Sequence, residues 1–143
     1  MTGRANSFVL IYPEGWTPGN PDLTTDTVRY DQMVLQLFKA DTAPAMLTHA
    51  VLGIAGEAGE LVDAIKKHTI YGKPLDRENV IEELGDLRFY IQAMQNVLGI
   101  SEYDVLQANA NKLSKRYRGL RYSDQAAIDR ADKSTNVSDT FGG

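Results

Sequence analysis

The chain contains no cysteine. That excludes disulfide staples, thiol catalysis and cysteine-ligated zinc. Histidine is scarce: His49 and His68 are the only two, too few for a histidine-rich metal site. The longest aliphatic and aromatic run, FVLIY at residues 8–12, falls far short of the roughly 20 residues that span a bilayer. Arg4 is not followed by the long apolar region of a signal peptide. Basic residues are outnumbered, 15 Lys and Arg against 19 Asp and Glu, for a net charge of −4 at pH 7. A direct nucleic-acid binder normally carries a basic surplus. The expectation is a cytoplasmic protein with no membrane or nucleic-acid partner. Internal repeats and low-complexity tracts are also absent.

What remains is an ordinary globular composition, 43% hydrophobic and 24% charged over 143 residues, which fits a single domain. The stretch from Leu47 to Leu98 organises it. Leu47, Val51, Ile54, Ala58, Leu61 and Ile65 recur at alternating spacings of four and three, the stripe of an amphipathic helix. Val80, Leu84, Leu87, Ile91, Met94 and Leu98 repeat the pattern. Between them TIYGKPLD carries Gly72 and Pro74, suited to a short connection between antiparallel neighbours. Asp76 is a good N-cap for the second helix, and Leu75 can staple onto Val80. A helical hairpin is expected.

Four acids decorate it. Glu57 and Glu60 form an ExxE pair, and Glu83 and Asp86 an ExxD pair. Residues three apart on a helix are neighbours, so each pair points one way. Every one of these acids directly precedes a stripe residue, which puts both pairs on the same side of an antiparallel seam. At ~1.5 Å rise per residue, counted from a bend near Gly72, the pairs lie level within roughly 2 Å. Four converging carboxylates repel one another unless a cation neutralises them. All-oxygen ligation selects a hard ion, Mg²⁺ with Mn²⁺ able to substitute. A single acidic pair on a helix is usually a solvated face; two pairs level across one seam are harder to dismiss. Gly53, Gly56, Gly59 and Gly85 lie among them, each costing a helix interior about 1 kcal/mol against alanine. Such penalties point to a close approach, by a packed helix or by a ligand.

The flanking segments read less sharply. MTGRANS is polar, FVLIY is a short strand or extended anchor, and the Pro/Gly-rich residues 13–26 form no regular element. Trp16 in that loop packs on the fold or an interface, or stacks on a base. A first helix is expected from Val28 to about Ala40, opened by Asp26-Thr27, with Tyr30, Met33, Val34, Leu37 and Phe38 buried and Gln32 and Gln36 on a polar face. His68 reads as a satisfied core or rim histidine, and Asp63 as a surface partner of Lys66 or Lys67. A fourth helix runs from Ser101 to about Tyr117. Asn109, Lys112 and Arg116 share one of its faces, and an amide with two cations suits phosphate oxygens. A basic helix end also simply suits the dipole. From Ser123 the chain becomes a polar arm, with a short helix possible at 123–132.

GEAGELVDAIKK, followed by VIEELGDLRFY, resembles the MazG-like, all-α nucleoside triphosphate pyrophosphohydrolase superfamily, which also holds the dimeric dUTPases and phosphoribosyl-ATP pyrophosphatases. The resemblance covers Tyr30 to Tyr117 and includes a later N-x-x-K-x-x-x-R-Y element, here Asn109, Lys112, Arg116 and Tyr117. It implies a four-helix bundle-like fold in residues 1–122, with a helical core at about 28–118 and a tail at 123–143. It implies hydrolysis of a (deoxy)nucleoside triphosphate between the α and β phosphates, in the control of nucleotide pools. Two or three Mg²⁺ would be held by Glu57, Glu60, Glu83 and Asp86. By resemblance to the dimeric dUTPases, Glu57 would also orient or deprotonate the attacking water. Asn109, Lys112 and Arg116 would contact the phosphates, and Gln32 and Tyr90, with Trp16, the nucleoside. Similar proteins are homodimers or homotetramers, and resemblance to compact phage and bacterial enzymes leans toward a guanine base. A dUTPase, a phosphoribosyl-ATP pyrophosphatase and a non-catalytic helical oligomerisation or binding module are the competing readings.

Overall fold

The computed structural model describes residues 10–11 and 28–133; Trp16, the Pro/Gly-rich loop around it and residues 134–143 lie outside them. The fold is all-α, apart from a two-residue antiparallel ladder that pairs β1 (Leu10–Ile11) with β2 (Val28–Arg29). The ladder takes two residues that the sequence assigns to the first helix, so α1 begins at Tyr30 and spans Tyr30–Leu37. Val28 is β-branched, and its backbone finds partners in the ladder rather than in a helical turn. The segment expected to open α1, Asp26-Thr27, lies outside the described residues.

The hairpin forms as the stripes require. Helix α2 spans Ala43–Thr69 and α3 spans Arg77–Leu98. Pro44 occupies the first turn of α2, where a missing N–H costs nothing. In the bend Gly72 takes a left-handed φ of +64°, a conformation that disfavours residues with a Cβ. The ring of His68 steadies the same bend by donating from Nδ1 to the carbonyl of Lys73 at 2.7 Å. Asp76 caps α3, accepting a hydrogen bond from the Asn79 N–H at 3.1 Å. Asp63 bridges to Lys66 and Lys67 at 3.0 and 2.9 Å.

Helix α1 packs on α3, and Asn96 ties them by donating to the carbonyl of Asp31 at 2.9 Å. Their junction with α2 makes the core: Val34, Phe38, Ala50 and Ala93 are buried, with Tyr30, Met33, Met46, Phe89, Tyr90 and Met94 packed around them. This core sits at the end of the hairpin away from the bend. Toward the bend the stripes are only half covered, and Ile65 and Leu84 are exposed; Val51, beside the core residue Ala50, is exposed as well. Off the stripes, Leu52, Val62 and Ile81 are 65, 65 and 66% exposed. Among the described residues, no helix is long and apolar enough to cross a membrane.

The chain divides into two compact units, residues 1–101 and 102–143. In the second, α4 (Glu102–Arg116) is followed by a 3-10 turn at Arg118–Leu120, α5 (Asp124–Asp129) and another 3-10 turn at Ala131–Lys133. Ser123 caps α5, accepting from the Ala126 N–H at 3.2 Å. The stretch weighed between a polar arm and a short helix therefore holds a capped helix. It also returns to α4, because Asp132 accepts both prongs of the Arg116 guanidinium, at 2.6 and 2.9 Å.

Candidate functional site

Half-way along the hairpin, α2 and α3 bring three carboxylates together. Glu57, Glu83 and Asp86 each offer an oxygen, and these oxygens lie within 4.8 Å of one another. Glu83 and Asp86 are one helical turn apart, so α3 alone aims both at the seam; α2 supplies Glu57 from across it. Glu57 and Glu83 are half-buried and Asp86 is exposed. Their arrangement has an electrostatic signature. Desolvation first, then the negative charges of Glu57, Glu60, Asp86 and Glu82, raises the Glu83 carboxyl above its ordinary value. A carboxyl held back from ionising in this way is one that a divalent cation would relieve. The donors are all hard oxygens, which fits Mg²⁺ or Mn²⁺ and not a soft metal.

Glu60, the fourth acid of the pattern, is exposed and outside the converging group. Its charge nonetheless reaches Glu83. It also reaches Lys67, which is raised first by its hydrogen bond to Asp63 and then, more weakly, by Glu60 and Asp76. Glu60 thus lies between the carboxylate cluster and the lysines of the same helix.

The glycines divide into two kinds. A Cβ built at Gly53 would overlap the Tyr90 ring, so this glycine exists to let the ring lie on the α2 backbone. Gly56, Gly59 and Gly85 have nothing within 4 Å of the position of an added Cβ. Helix packing within the described residues therefore does not account for the three that flank the acids.

Tyr90 sits one turn beyond Asp86, edge-on to Phe89 at 5.4 Å between ring centroids. Gln32 is exposed on α1. Its neighbour Asp31 is desolvated, but hydrogen bonds and charge from Arg29, with further hydrogen bonds from Gln32, more than offset this and lower its pKa. Tyr30 is one residue that sequence reasoning placed in the core and left out of the site. Its phenol is raised by burial first, with the charge of Arg88 opposing and that of Asp86 adding, which places it in electrostatic reach of the acids. Its position on the apolar side of α1 hid it; the signal was a hydroxyl on a buried stripe, which must find a polar surrounding.

Asn109, Lys112 and Arg116 all lie on α4, in the second unit. Lys112 and Asn109 are exposed, whereas Arg116 is half-buried and forked onto Asp132, whose side chain is only 1% exposed. That hydrogen bond holds the Asp132 carboxyl below its ordinary value.

A family model for the MazG nucleotide pyrophosphohydrolase domain matches residues 47–120, a span that begins with the first stripe of the hairpin and runs through α4. The Gene 37 protein of Mycobacterium phage L5 is 33% identical over 79 residues, covering 52% of this chain and 69% of the phage protein. No solved structure matches the chain.

Proposed function

Since the chain belongs to the MazG nucleotide pyrophosphohydrolase domain family, we propose that it hydrolyses a (deoxy)nucleoside triphosphate to the monophosphate and pyrophosphate. The observation that carries this reading is the convergence of Glu57, Glu83 and Asp86 across the hairpin seam. Divalent cations held by Glu57, Glu83 and Asp86 would neutralise phosphate charge and acidify a water. Glu57, facing the α3 acids from the opposite helix, orients that water and takes its proton. The water oxygen bonds to the α phosphorus, the bond from that phosphorus to the α–β bridging oxygen breaks, and the electron pair leaves with pyrophosphate. Glu83 and Asp86 hold the opposite side, and Glu60 adds a fourth carboxylate when counter-charge draws it in.

Asn109, Lys112 and Arg116 are assigned to the β and γ phosphates. The support is their match to the family's later element and the donor chemistry of an amide and two cations. Tyr90 and Gln32 are assigned to the nucleoside, as is Trp16. The exposed Leu52, Val62 and Ile81 support self-association into a homodimer or homotetramer, since a lone subunit would leave these apolar surfaces in water.

The test is direct. Purified protein with Mg²⁺ and the eight common (d)NTPs should release pyrophosphate, and EDTA should abolish the release. Glu57→Gln should remove activity without unfolding the chain, while Asp63→Asn, which only loosens a surface bridge, should leave it near wild type. Turnover that persists after exhaustive chelation, or an inactive Asp63→Asn beside an active Glu57→Gln, would sink the placement of the site.

A further inference from the structure

The faces of α2 and α3 that carry the acids turn aromatic farther from the bend. On α2, His49, Gly53 and Glu57 follow one another a turn apart; on α3, Asp86 is followed by Tyr90. Tyr90 lies down on Gly53 and braces His49 edge-on, with ring centroids 5.8 Å apart and planes at 62°. His49 in turn stacks on Phe38 at 4.6 Å and 23°, and Phe38 is the buried member of the set at 7% exposure. His49 itself is exposed. One face of the imidazole is therefore covered by a buried phenyl ring, and its other face looks outward.

We propose that this outer face of His49 seats the base of the nucleotide substrate by stacking, with Phe38 beneath and Tyr90 at the side fixing the ring's tilt. The inference rests on the nucleotide-hydrolase reading of the carboxylate cluster and adds the element that recognises the nucleoside. Two turns of helix separate His49 from Glu57, about 12 Å along the axis, a gap that a nucleotide would close together with the reach of the Glu57 side chain and of a cation held at the cluster. A phosphate at the carboxylates and a base at His49 thus use one continuous face. Stacking on histidine is tolerant of which base it meets, because every base has a π-face. Discrimination among bases would then come from groups at the base edge rather than from the shelf.

The experiment compares substrates with and without a base. Steady-state kinetics are measured with Mg²⁺ on a panel of dNTPs and on 2-deoxyribose 5-triphosphate, for wild type, His49→Ala and His49→Phe. His49→Ala should raise KM for the dNTPs by about fivefold to a hundredfold, with kcat little changed and the baseless compound unaffected. His49→Phe, which keeps a flat ring, should recover most of the dNTP KM. Equal losses on both substrates would mean that His49 is a packing residue only, and no loss on either would also overturn the proposal. Failure of the enzyme reading looks different: wild type would release no pyrophosphate from any dNTP. In that event the shelf is still read by NMR, as an upfield ring-current shift of the His49 imidazole protons on titration with a deoxynucleoside monophosphate but not with deoxyribose 5-phosphate. Absence of that shift overturns the proposal independently of turnover.

Discussion

Glu83 carries the clearest consequence at the scale of single residues. Its folded-state pKa is raised, so the folded chain binds this proton more tightly than the unfolded chain does. Its contribution to stability is then fully present below the unfolded glutamate value and is lost as pH rises through the elevated folded value. Metal-free wild type should lose Tm across that window relative to Glu83→Gln, and saturating Mg²⁺ should reverse the difference by preferring the ionised ligand set. A pH-independent gap between the two proteins would show that the cluster is too well solvated to repel. Arg116 poses a different question, because its guanidinium is already engaged by Asp132. If it also binds phosphate, Asp132→Asn should lower KM for nucleotide by releasing a competitor. Arg116→Ala should raise KM by roughly tenfold or more, and Arg116→Lys, which keeps the charge but loses the fork, should fall between. Lys115→Ala is the control. Indistinguishable kinetics for Arg116→Ala and Lys115→Ala would leave the arginine a purely structural tie within its own unit.

At the scale of the helix, the glycines make opposed predictions from one residue type. Gly56 and Gly59 lie in helix α2 with open space where a side chain would go. Alanine there should raise stability toward urea by up to about 1 kcal/mol each. At Gly53 the Tyr90 ring occupies that space, and alanine should cost about 1–3 kcal/mol through overpacking. If Gly59→Ala stabilises the chain yet impairs catalysis, the open space beside Glu60 is used by a ligand or a second subunit in the working enzyme. Destabilisation at Gly56 or Gly59 would contradict the geometry described for α2.

For the molecule as a whole, uncovered apolar surface argues for assembly, and light scattering at micromolar concentration should report a dimer or larger. A monodisperse monomer would remove that expectation. The hairpin and its acids were legible in the sequence because both rest on helical periodicity, a local and repeated signal: the stripes set the seam, and Asp76 marked where α3 begins. What was not legible came from non-local pairing. Val28 and Arg29 join a ladder whose other strand is β1, so no pattern near α1 could show that the helix starts at Tyr30. The contact of Asp132 with Arg116 likewise joins residues from separate elements, and a polar tail sequence gives no hint of its partner. Tyr30 and His49 were left out of the site for a related reason: Tyr30 reads as one more buried position of α1 and His49 as an isolated histidine, and only neighbouring elements reveal their polar or exposed surroundings.

The carboxylate cluster draws one member from before the bend and two from after it, and residues 71–75 of that bend are all exposed. Their connection contributes no carboxylate to the cluster; it keeps the two contributing helices at a high effective concentration for each other. A single protease cut there would leave all three carboxylates intact, and any cation bound at them would then join two chains held only by the packing of the helix seam. Affinity for the ion would then depend on protein concentration, and dilution alone would act as a chelator does.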